Sequence, residues 1–237
     1  MKGMKGIGAM VSLAGLLVAG CAATQQGGAP VAAPPALPSE VVVKPVLPAY
    51  VCPNGRLIEV QEDPTTGIMQ LQDGSAELTA FRAVAGGSKQ FVSGEVTVEY
   101  DAATLRFTGG RQGGLTCLRR PAAPAEGRLW GTLDKRDRMA LPPGTRARVM
   151  LLDVSRADAA SEELARTDIV TVGNQVPLHW LIAFDPARRQ PRYTYALRAV
   201  IEDADGRLLY STDTFNPVPA EGPIEAPIAL TLVPVSR

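Results

Sequence analysis

Few side chains in this chain are able to carry covalent chemistry. There are three cysteines, Cys21, Cys52 and Cys117, and one histidine, His179. A Ser/His/Asp triad or a His/Cys metal site has little to be built from in so small a set. His179 also lies on the face of a predicted strand opposite its apolar stripe, where a solvated side chain is expected. The sequence therefore predicts a protein that is not an enzyme and that holds no cofactor and no metal.

Two other patterns could carry chemistry but have simpler interpretations. The carboxylate pairs Asp203/Asp205 and Glu162/Glu163 stand in polar, turn-like stretches, where solvated surface is expected. The glycine-rich residues 109–114 precede a predicted strand and not a helix, so they do not form a phosphate-binding loop.

The residues around Cys21 predict a membrane anchor. Upstream are two basic residues, an apolar run too short to span a bilayer and a small-residue cleavage site (Lys2 and Lys5, residues 7–18, Ala19 and Gly20). This pattern resembles a bacterial lipobox, which implies that residues 1–20 are a signal peptide and that Cys21 carries lipid. Within this resemblance, Ala22 favours the outer membrane, with the chain facing the periplasm. An ordinary secretory signal with an incidental cysteine is the alternative.

If Cys21 carries lipid, Cys52 and Cys117 remain as a pair. In an oxidising compartment we expect them to form a disulfide across 65 residues. In the chain-entropy model such a crosslink stabilises the fold by about 4 kcal/mol. Two free buried thiols are the alternative.

Charge gives no reason to expect a nucleic-acid partner. The chain has 24 basic and 24 acidic residues, and removal of residues 1–20 takes away two lysines, which leaves 22 basic residues. The mature chain is therefore weakly acidic. Only five of the basic residues are lysines, so each lysine is unusual here.

Proline-rich stretches divide the chain. Residues 21–48 contain six prolines and predict a semi-extended tether from the lipid. Residues 121–127 begin Pro-Ala-Ala-Pro-Ala and predict a linker. The chain is therefore predicted to contain a first domain over residues 49–120 and a second domain over residues 128–237.

The first domain consists of short strand patterns separated by tight turns. Five-residue strands are predicted at residues 57–61, 67–71, 76–80, 96–100 and 103–107. Even spacing with turn residues between the strands indicates an antiparallel meander or a small β-barrel.

The first domain also carries a family resemblance. This resemblance is carried by Tyr50-Val51-Cys52, Asn54-Gly55, residues 86–91, Ala103-Thr104-Leu105 and Leu115-Thr116-Cys117. The two cysteines with their flanking residues are the most specific part. Together these stretches resemble the membrane-bound inhibitors of c-type lysozyme. The resemblance implies a barrel closed by a disulfide and a loop whose serine and lysine address the two catalytic carboxylates of lysozyme. Ser88 and Lys89 are the candidates for these roles.

The chemistry of this loop is simple. Lysozyme keeps one carboxyl group protonated and the other ionised, so that Ser88 could hydrogen-bond the first and Lys89 could pair with the second. In two places the chain departs from the family. The serine stands one position late, and a second basic position of the family falls on Glu99, whose carboxylate would repel the ionised group. A barrel that keeps the fold without inhibition is the alternative.

The second domain shows alternating apolar residues. About seven strands are predicted, at residues 128–133, 146–154, 168–172, 176–184, 193–201, 208–212 and 226–233, with a hairpin turn at residues 203–206. This pattern predicts a seven-stranded β-sandwich. The whole chain is thus predicted to be all-β, with a disulfide-closed antiparallel barrel followed by the sandwich.

A second resemblance covers residues 128–235. The stretches that carry it are residues 141–144, 149–158, Asp185-Pro186 and residues 206–213. They resemble bacterial lipoproteins of the YbaY and YscW type, some of which are pilotins that carry a secretin to the outer membrane. Two functions follow as hypotheses. The first is an outer-membrane-anchored binding module that inhibits c-type lysozyme, and the alternative is an assembly or scaffold lipoprotein that binds another envelope protein.

Overall fold

The computed structural model describes residues 47–73, 78–84 and 89–235. Within these ranges the regular elements are sixteen strands and two single 3-10 turns, Gly110–Gln112 and Pro186–Arg188. The predicted all-β class is confirmed. Cys21, the predicted signal peptide, most of the predicted tether and Ser88 lie outside the described residues.

The first eight strands form a closed antiparallel barrel in chain order. They are β1 (Ala49–Val51), β2 (Leu57–Asp63), β3 (Ile68–Asp73), β4 (Leu78–Ala83), β5 (Gln90–Ser93), β6 (Val96–Tyr100), β7 (Thr104–Thr108) and β8 (Thr116–Arg119). Closure comes from β1 pairing with β8, where Tyr50 lies opposite Arg119. A disulfide joins Cys52, just after β1, to Cys117 in β8. The predicted barrel and its disulfide are confirmed.

Every second side chain of the barrel strands points inward, and these side chains fill the barrel core. In β7, Leu105 and Phe107 are buried while Arg106 is exposed, as the two-residue period of a strand requires. The barrel core combines aliphatic and aromatic residues with the disulfide: Tyr50, Cys52, Ile58, Val60, Met69, Leu71, Phe81, Phe91, Val98, Leu105, Phe107 and Cys117. This interior leaves β2 to β8 with an outer surface that is largely polar.

The other eight strands form one curled sheet. They are β9 (Arg128–Lys135), β10 (Arg146–Asp153), β11 (Glu162–Val170), β12 (Leu178–Ala183), β13 (Tyr195–Glu202), β14 (Leu208–Ser211), β15 (Asn216–Val218) and β16 (Ile228–Pro234). The strand order is β11-β10-β13-β14-β16-β9-β12, and β15 pairs with β13. The edge strands β11 and β12 lie next to each other without forming a ladder, so the sheet is nearly closed.

This sheet differs from the expected seven-stranded sandwich. The strand β16 pairs with β14 on one side and runs parallel to β9 on the other, which joins what would be two layers into one continuous sheet. The short strand β15 is an eighth strand that the sequence pattern did not show. β11 also begins at Glu162, so Glu162 and Glu163 are strand residues and not part of a turn.

The interior of the curled sheet is apolar. In β12, Leu178, Trp180 and Ile182 point into it and are fully buried. They meet Leu151 of β10 and Ile201 of β13 in one core. Outward-facing residues of β12 are therefore His179, Leu181 and Ala183, and their surroundings decide how the barrel and the sheet are joined.

Candidate binding surfaces

Lys89 lies at one end of the barrel, immediately before β5, and is exposed. Its ammonium nitrogen is 5.2 Å from the centre of the Tyr100 ring. The Tyr100 ring in turn packs against Phe91, at 5.9 Å between ring centres, and against the edge of Tyr50. The predicted contact lysine is thus held above an aromatic cluster and is accessible to a partner. Its predicted companion Ser88 is not among the described residues.

A polar cleft surrounds this lysine. It is lined by Lys89, Gln90, Glu99, Tyr100, Asp101, Thr104 and Arg106. Within it the side-chain amide of Gln90 donates a hydrogen bond to the Glu99 carboxylate, and Arg106 lies opposite Glu99 on the neighbouring strand. The cleft therefore presents a cation and an anion side by side, and Glu99 lies where it can oppose an incoming carboxylate.

Tyr100 is held in this cleft by a hydrogen bond that its hydroxyl donates. Its hydroxyl donates to the Glu62 carboxylate. Burial raises the pKa of Tyr100 well above its ordinary value, and the hydrogen bond to Glu62 raises it further. Tyr100 therefore stays protonated and keeps the aromatic platform under Lys89 in one orientation.

A turn of the barrel enters the second sheet. The carbonyl oxygen of Pro53 accepts a hydrogen bond of 3.0 Å from the backbone N–H of Val170 in β11, and that of Gly55 accepts one of 2.8 Å from His179 in β12. The side-chain amide of Asn174 donates to the carbonyl oxygen of Asn54 at 2.8 Å. Residues 53–55 thus fill the gap between the two edge strands and satisfy backbone groups that would otherwise have no partner there.

Gly55 shows how closely this turn fits. Its φ is +81°, in the left-handed region that favours glycine. A Cβ atom at this position would lie 3.0 Å from the Ile169 side chain and 3.2 Å from that of Leu178. Both the backbone conformation and the space therefore require glycine.

An apolar cluster supports the same junction. Val51 of the barrel packs with Trp130 and Leu181 of the second sheet, and all three are buried. His179 on this face is half-buried, and burial lowers its pKa, with the nearby charge of Arg120 lowering it further. The prediction of a solvated His179 side chain is therefore wrong, because the barrel covers this face of β12. The barrel and the second sheet belong to one compact unit.

Exposed apolar residues of the second sheet lie beside this junction. Met139 and Val172 are 70% and 71% exposed, and Val170 is 48% exposed. Their loops are tied together, since Gln175 accepts a hydrogen bond of 2.6 Å from the backbone N–H of Leu141. We call Met139, Val170 and Val172 the loop-end patch. Exposed apolar side chains held on connected loops are typical of protein interaction surfaces.

Two buried cations have structural partners. The Lys135 ammonium, whose side chain is 2% exposed, pairs with the Asp137 carboxylate, and its nitrogen is 5.3 Å from the centre of the Tyr210 ring. The Arg189 guanidinium donates to the carbonyl oxygens of Pro219 and Gly222 at 2.6 and 2.8 Å. These contacts fasten the ends of strands and loops, and neither group faces a cleft described above.

Metal-binding clusters and membrane-spanning helices are both absent from the part of the chain that the structure describes. No set of three or more His, Cys, Asp or Glu side chains there is arranged to hold a metal ion. None of its helices has the length and apolar character needed to cross a bilayer.

Comparisons with known proteins concern the C-terminal half of the chain. Residues 124–230 match the family described as "Type III secretion system lipoprotein chaperone (YscW)". The chain is 41% identical over 107 residues to "Uncharacterized lipoprotein YbaY" of Escherichia coli (strain K12), which covers 45% of this chain and 55% of that relative. The chain thus spans about half the length of the curated relative that it matches.

A solved structure is also similar to this half. It is an alternative pilotin from the type II secretion system of Vibrio cholerae, 31% identical, covering 46% of this chain and 97% of the pilotin with a TM-score of 0.41. The family and the curated relative support the predicted resemblance of the C-terminal half to lipoproteins of the YscW and YbaY type. The resemblance of residues 50–120 to lysozyme inhibitors stays a prediction.

Proposed function

We propose that this chain is a lipid-anchored envelope protein whose second sheet binds another envelope protein and assists its assembly, as a chaperone or scaffold. The observation that carries the proposal is the match of residues 124–230 to a family of lipoprotein chaperones. The identity to a second lipoprotein over 107 residues supports it. Lipid on Cys21 would place this activity at the outer membrane, on its periplasmic side, with the tether of residues 21–48 giving reach.

We assign partner binding to the loop-end patch. The junction with the barrel is covered by Val51 and by the turn of residues 53–55, whose Pro53 carbonyl accepts a hydrogen bond from the backbone N–H of Val170 in the patch. The loop-end patch remains open, with Met139 and Val172 each about 70% exposed. Burying these apolar side chains in an interface would favour binding, because transfer of apolar surface out of water is favourable.

The test is site-specific photo-crosslinking in the native, lipidated protein. A photoreactive residue replaces Val172, and the control carries it at Val84, an exposed valine of the barrel that is 37% exposed. We expect a single envelope protein to be captured from position 172 and not from position 84. Deleting the gene for this chain should then lower the amount of that protein in the outer membrane. Equal capture from both positions, or an unchanged amount after deletion, would contradict the proposal.

Lysozyme binding by the barrel is the second candidate function. It is supported by the closed, disulfide-bonded barrel and by the exposure of Lys89 above Tyr100. Glu99 in the same cleft opposes it. In this case Lys89 would face the ionised carboxylate of lysozyme and Ser88 its protonated acid.

A further inference from the structure

The barrel has a second opening that neither proposed function uses. A cavity of about 340 Å³ lies at one end of the barrel, away from Lys89. We call it the barrel mouth. Its lining includes the apolar side chains of Ile58, Leu71, Phe81 and Phe107, with Thr79 and charged residues beside them. The apolar side chains retain between 3% and 7% exposure, whereas Met69 deeper in the barrel has none. Ile58, Leu71, Phe81 and Phe107 therefore keep a small accessible surface in the barrel mouth.

Two arginines stand at the rim of the barrel mouth. Arg56 is held in place by Asp73, with 2.9 Å between guanidinium nitrogen and carboxylate oxygen. Arg111 is exposed and belongs to the 3-10 turn Gly110–Gln112. That turn lies against the mouth, because a Cβ atom at Gly110 would be only 2.8 Å from the side chain of Val96. Among the described residues, no hydrogen bond or ion pair to Arg111 is found.

An apolar cavity below a cationic rim has a definite complement. The wall favours a hydrocarbon chain, because transfer of apolar surface from water into such a space is favourable. The rim favours an anionic head, since a guanidinium binds a carboxylate through two parallel hydrogen bonds. With a methylene group about as large as a water molecule, about 30 Å³ each, the cavity holds on the order of ten such groups.

We propose that the barrel mouth binds a free medium-chain fatty acid, with its chain against Phe81 and Phe107 and its carboxylate on Arg111. The disulfide-closed barrel thus acts as a small ligand-binding domain in addition to any contact it makes through Lys89. Because Arg56 and Asp73 also line the cleft beside Val176 and His179 of the second sheet, the ligand would sit next to the junction of the two halves.

Decanoate is the probe, used below its critical micelle concentration. The protein is residues 21–237 with Cys21→Ser, which prevents lipidation. Binding is measured by calorimetry, and the site is located from the methyl NMR signals of Ile58, Leu71 and Val96. We expect those signals to shift on titration while the signals of Ile201 and Leu232, in the core of the second sheet, stay in place. Decyltrimethylammonium, which has the same chain with a cationic head, should bind more weakly.

Two variants separate the mouth from the rest of the surface. Arg111→Gln should raise the Kd for decanoate about fivefold, the upper range for a solvent-accessible ion pair. Arg82→Gln removes an exposed arginine of the barrel outside the mouth and should leave the Kd unchanged. Shifts confined to other methyl groups, equal effects of the two variants, or equal binding of the cationic amphiphile would overturn the proposal. None of these results depends on a protein partner, so the test is independent of the proposed function.

Discussion

The carbonyl oxygen of Gly55 in the barrel accepts a 2.8 Å hydrogen bond from the backbone N–H of His179 in β12. This bond, with its counterpart from Val170 to Pro53, places a barrel turn where two edge strands of the second sheet would otherwise be left unpaired. Residues 53–55 lie outside the range 124–230 that matches the lipoprotein chaperones. They nevertheless complete the sheet that this range forms.

Gly55→Ala tests this junction. We expect it to lower the free energy of unfolding by about 2–4 kcal/mol, because the left-handed φ is unfavourable for alanine and the new Cβ crowds Ile169 and Leu178. Gly94→Ala is the matched control, since Gly94 also has a positive φ of 59° but has no atom near its Cβ position. Urea unfolding should show a loss of only about 1 kcal/mol for the control. Equal losses would mean that the turn is not packed in the gap.

Removal of the disulfide should destabilise the barrel. The double variant Cys52→Ser, Cys117→Ser should lose about 2–5 kcal/mol, as expected when a native crosslink is removed from a small domain. Urea unfolding with and without reductant checks it. Reductant should destabilise the unaltered chain by a similar amount and leave the double variant unaffected. Two alkylatable thiols in the native, unreduced protein would refute the pairing.

Lysozyme inhibition should depend on two opposite charges in one cleft. Lys89→Ala should weaken any inhibition, because the ammonium that faces the ionised carboxylate of lysozyme is lost. Glu99→Lys should strengthen it, because a repelling carboxylate becomes an attracting cation. The readout is the inhibition constant on c-type lysozyme at two salt concentrations, where screening should reduce both effects. If lysozyme remains fully active in micromolar protein with either Glu or Lys at position 99, the barrel is not an inhibitor. The chaperone function is then favoured.

The Lys135–Asp137 pair should contribute to acid stability. The hydrogen bond from Lys135 lowers the pKa of Asp137 below its ordinary 3.8, and the backbone N–H of Met139 lowers it further. The stabilisation is therefore complete above about pH 3.8 and is lost as the pH falls through the lower, folded value. Asp137→Asn should destabilise the chain at pH 7 and flatten its stability profile between about pH 5 and 2. Asp213→Asn, which removes the partner of the exposed Arg136, should leave stability nearly unchanged.

His179 should oppose folding at mildly acidic pH. Its pKa is lowered from 6.5 mainly by burial, so the unfolded chain binds the proton more readily. The stabilisation is present above about pH 6.5 and is lost as the pH falls toward the folded pKa. We expect His179→Gln to be less sensitive to a change from pH 7 to 5 in urea unfolding. As the only histidine, His179 also gives a clear NMR titration, and a midpoint at or above 6.5 would show that its ring is solvated.

Local patterns were sufficient to predict an antiparallel meander or a small barrel, and the family resemblance implied a barrel closed by a disulfide. These patterns are the alternation in residues 103–107 and the tight turns, which depend only on neighbouring residues. The pairing of two cysteines follows from their number and positions in the chain. The strands β1 and β5 were not predicted, because three and four residues are too few to show a period. Their positions depend on closure of the barrel, in which β1 pairs with β8.

The surroundings of β12 could not be predicted in the same way. Its alternation correctly divided Trp180 and Ile182 from His179 and Leu181. Whether the second set meets solvent depends on Val51 and on the turn of residues 53–55, which are distant in sequence. The parallel pairing of β16 with β9 is equally non-local, and it changes the expected sandwich into a curled sheet. The candidate sites differ in the same way. Lys89 could be predicted from its residue type and its flanking residues, whereas the loop-end patch and the barrel mouth are recognisable only in the folded chain.

The turn in the gap also constrains the order in which the chain can acquire its structure. Asn54 and Asn174, which it joins, are 120 residues apart, and the barrel precedes the second sheet in the chain. A chain that emerges from its amino terminus can close the barrel while β11 and β12 are still missing, because the pairings of the barrel are local. The gap between β11 and β12 can then close only after both of these later strands and the barrel turn have formed, so it depends on long-range contacts.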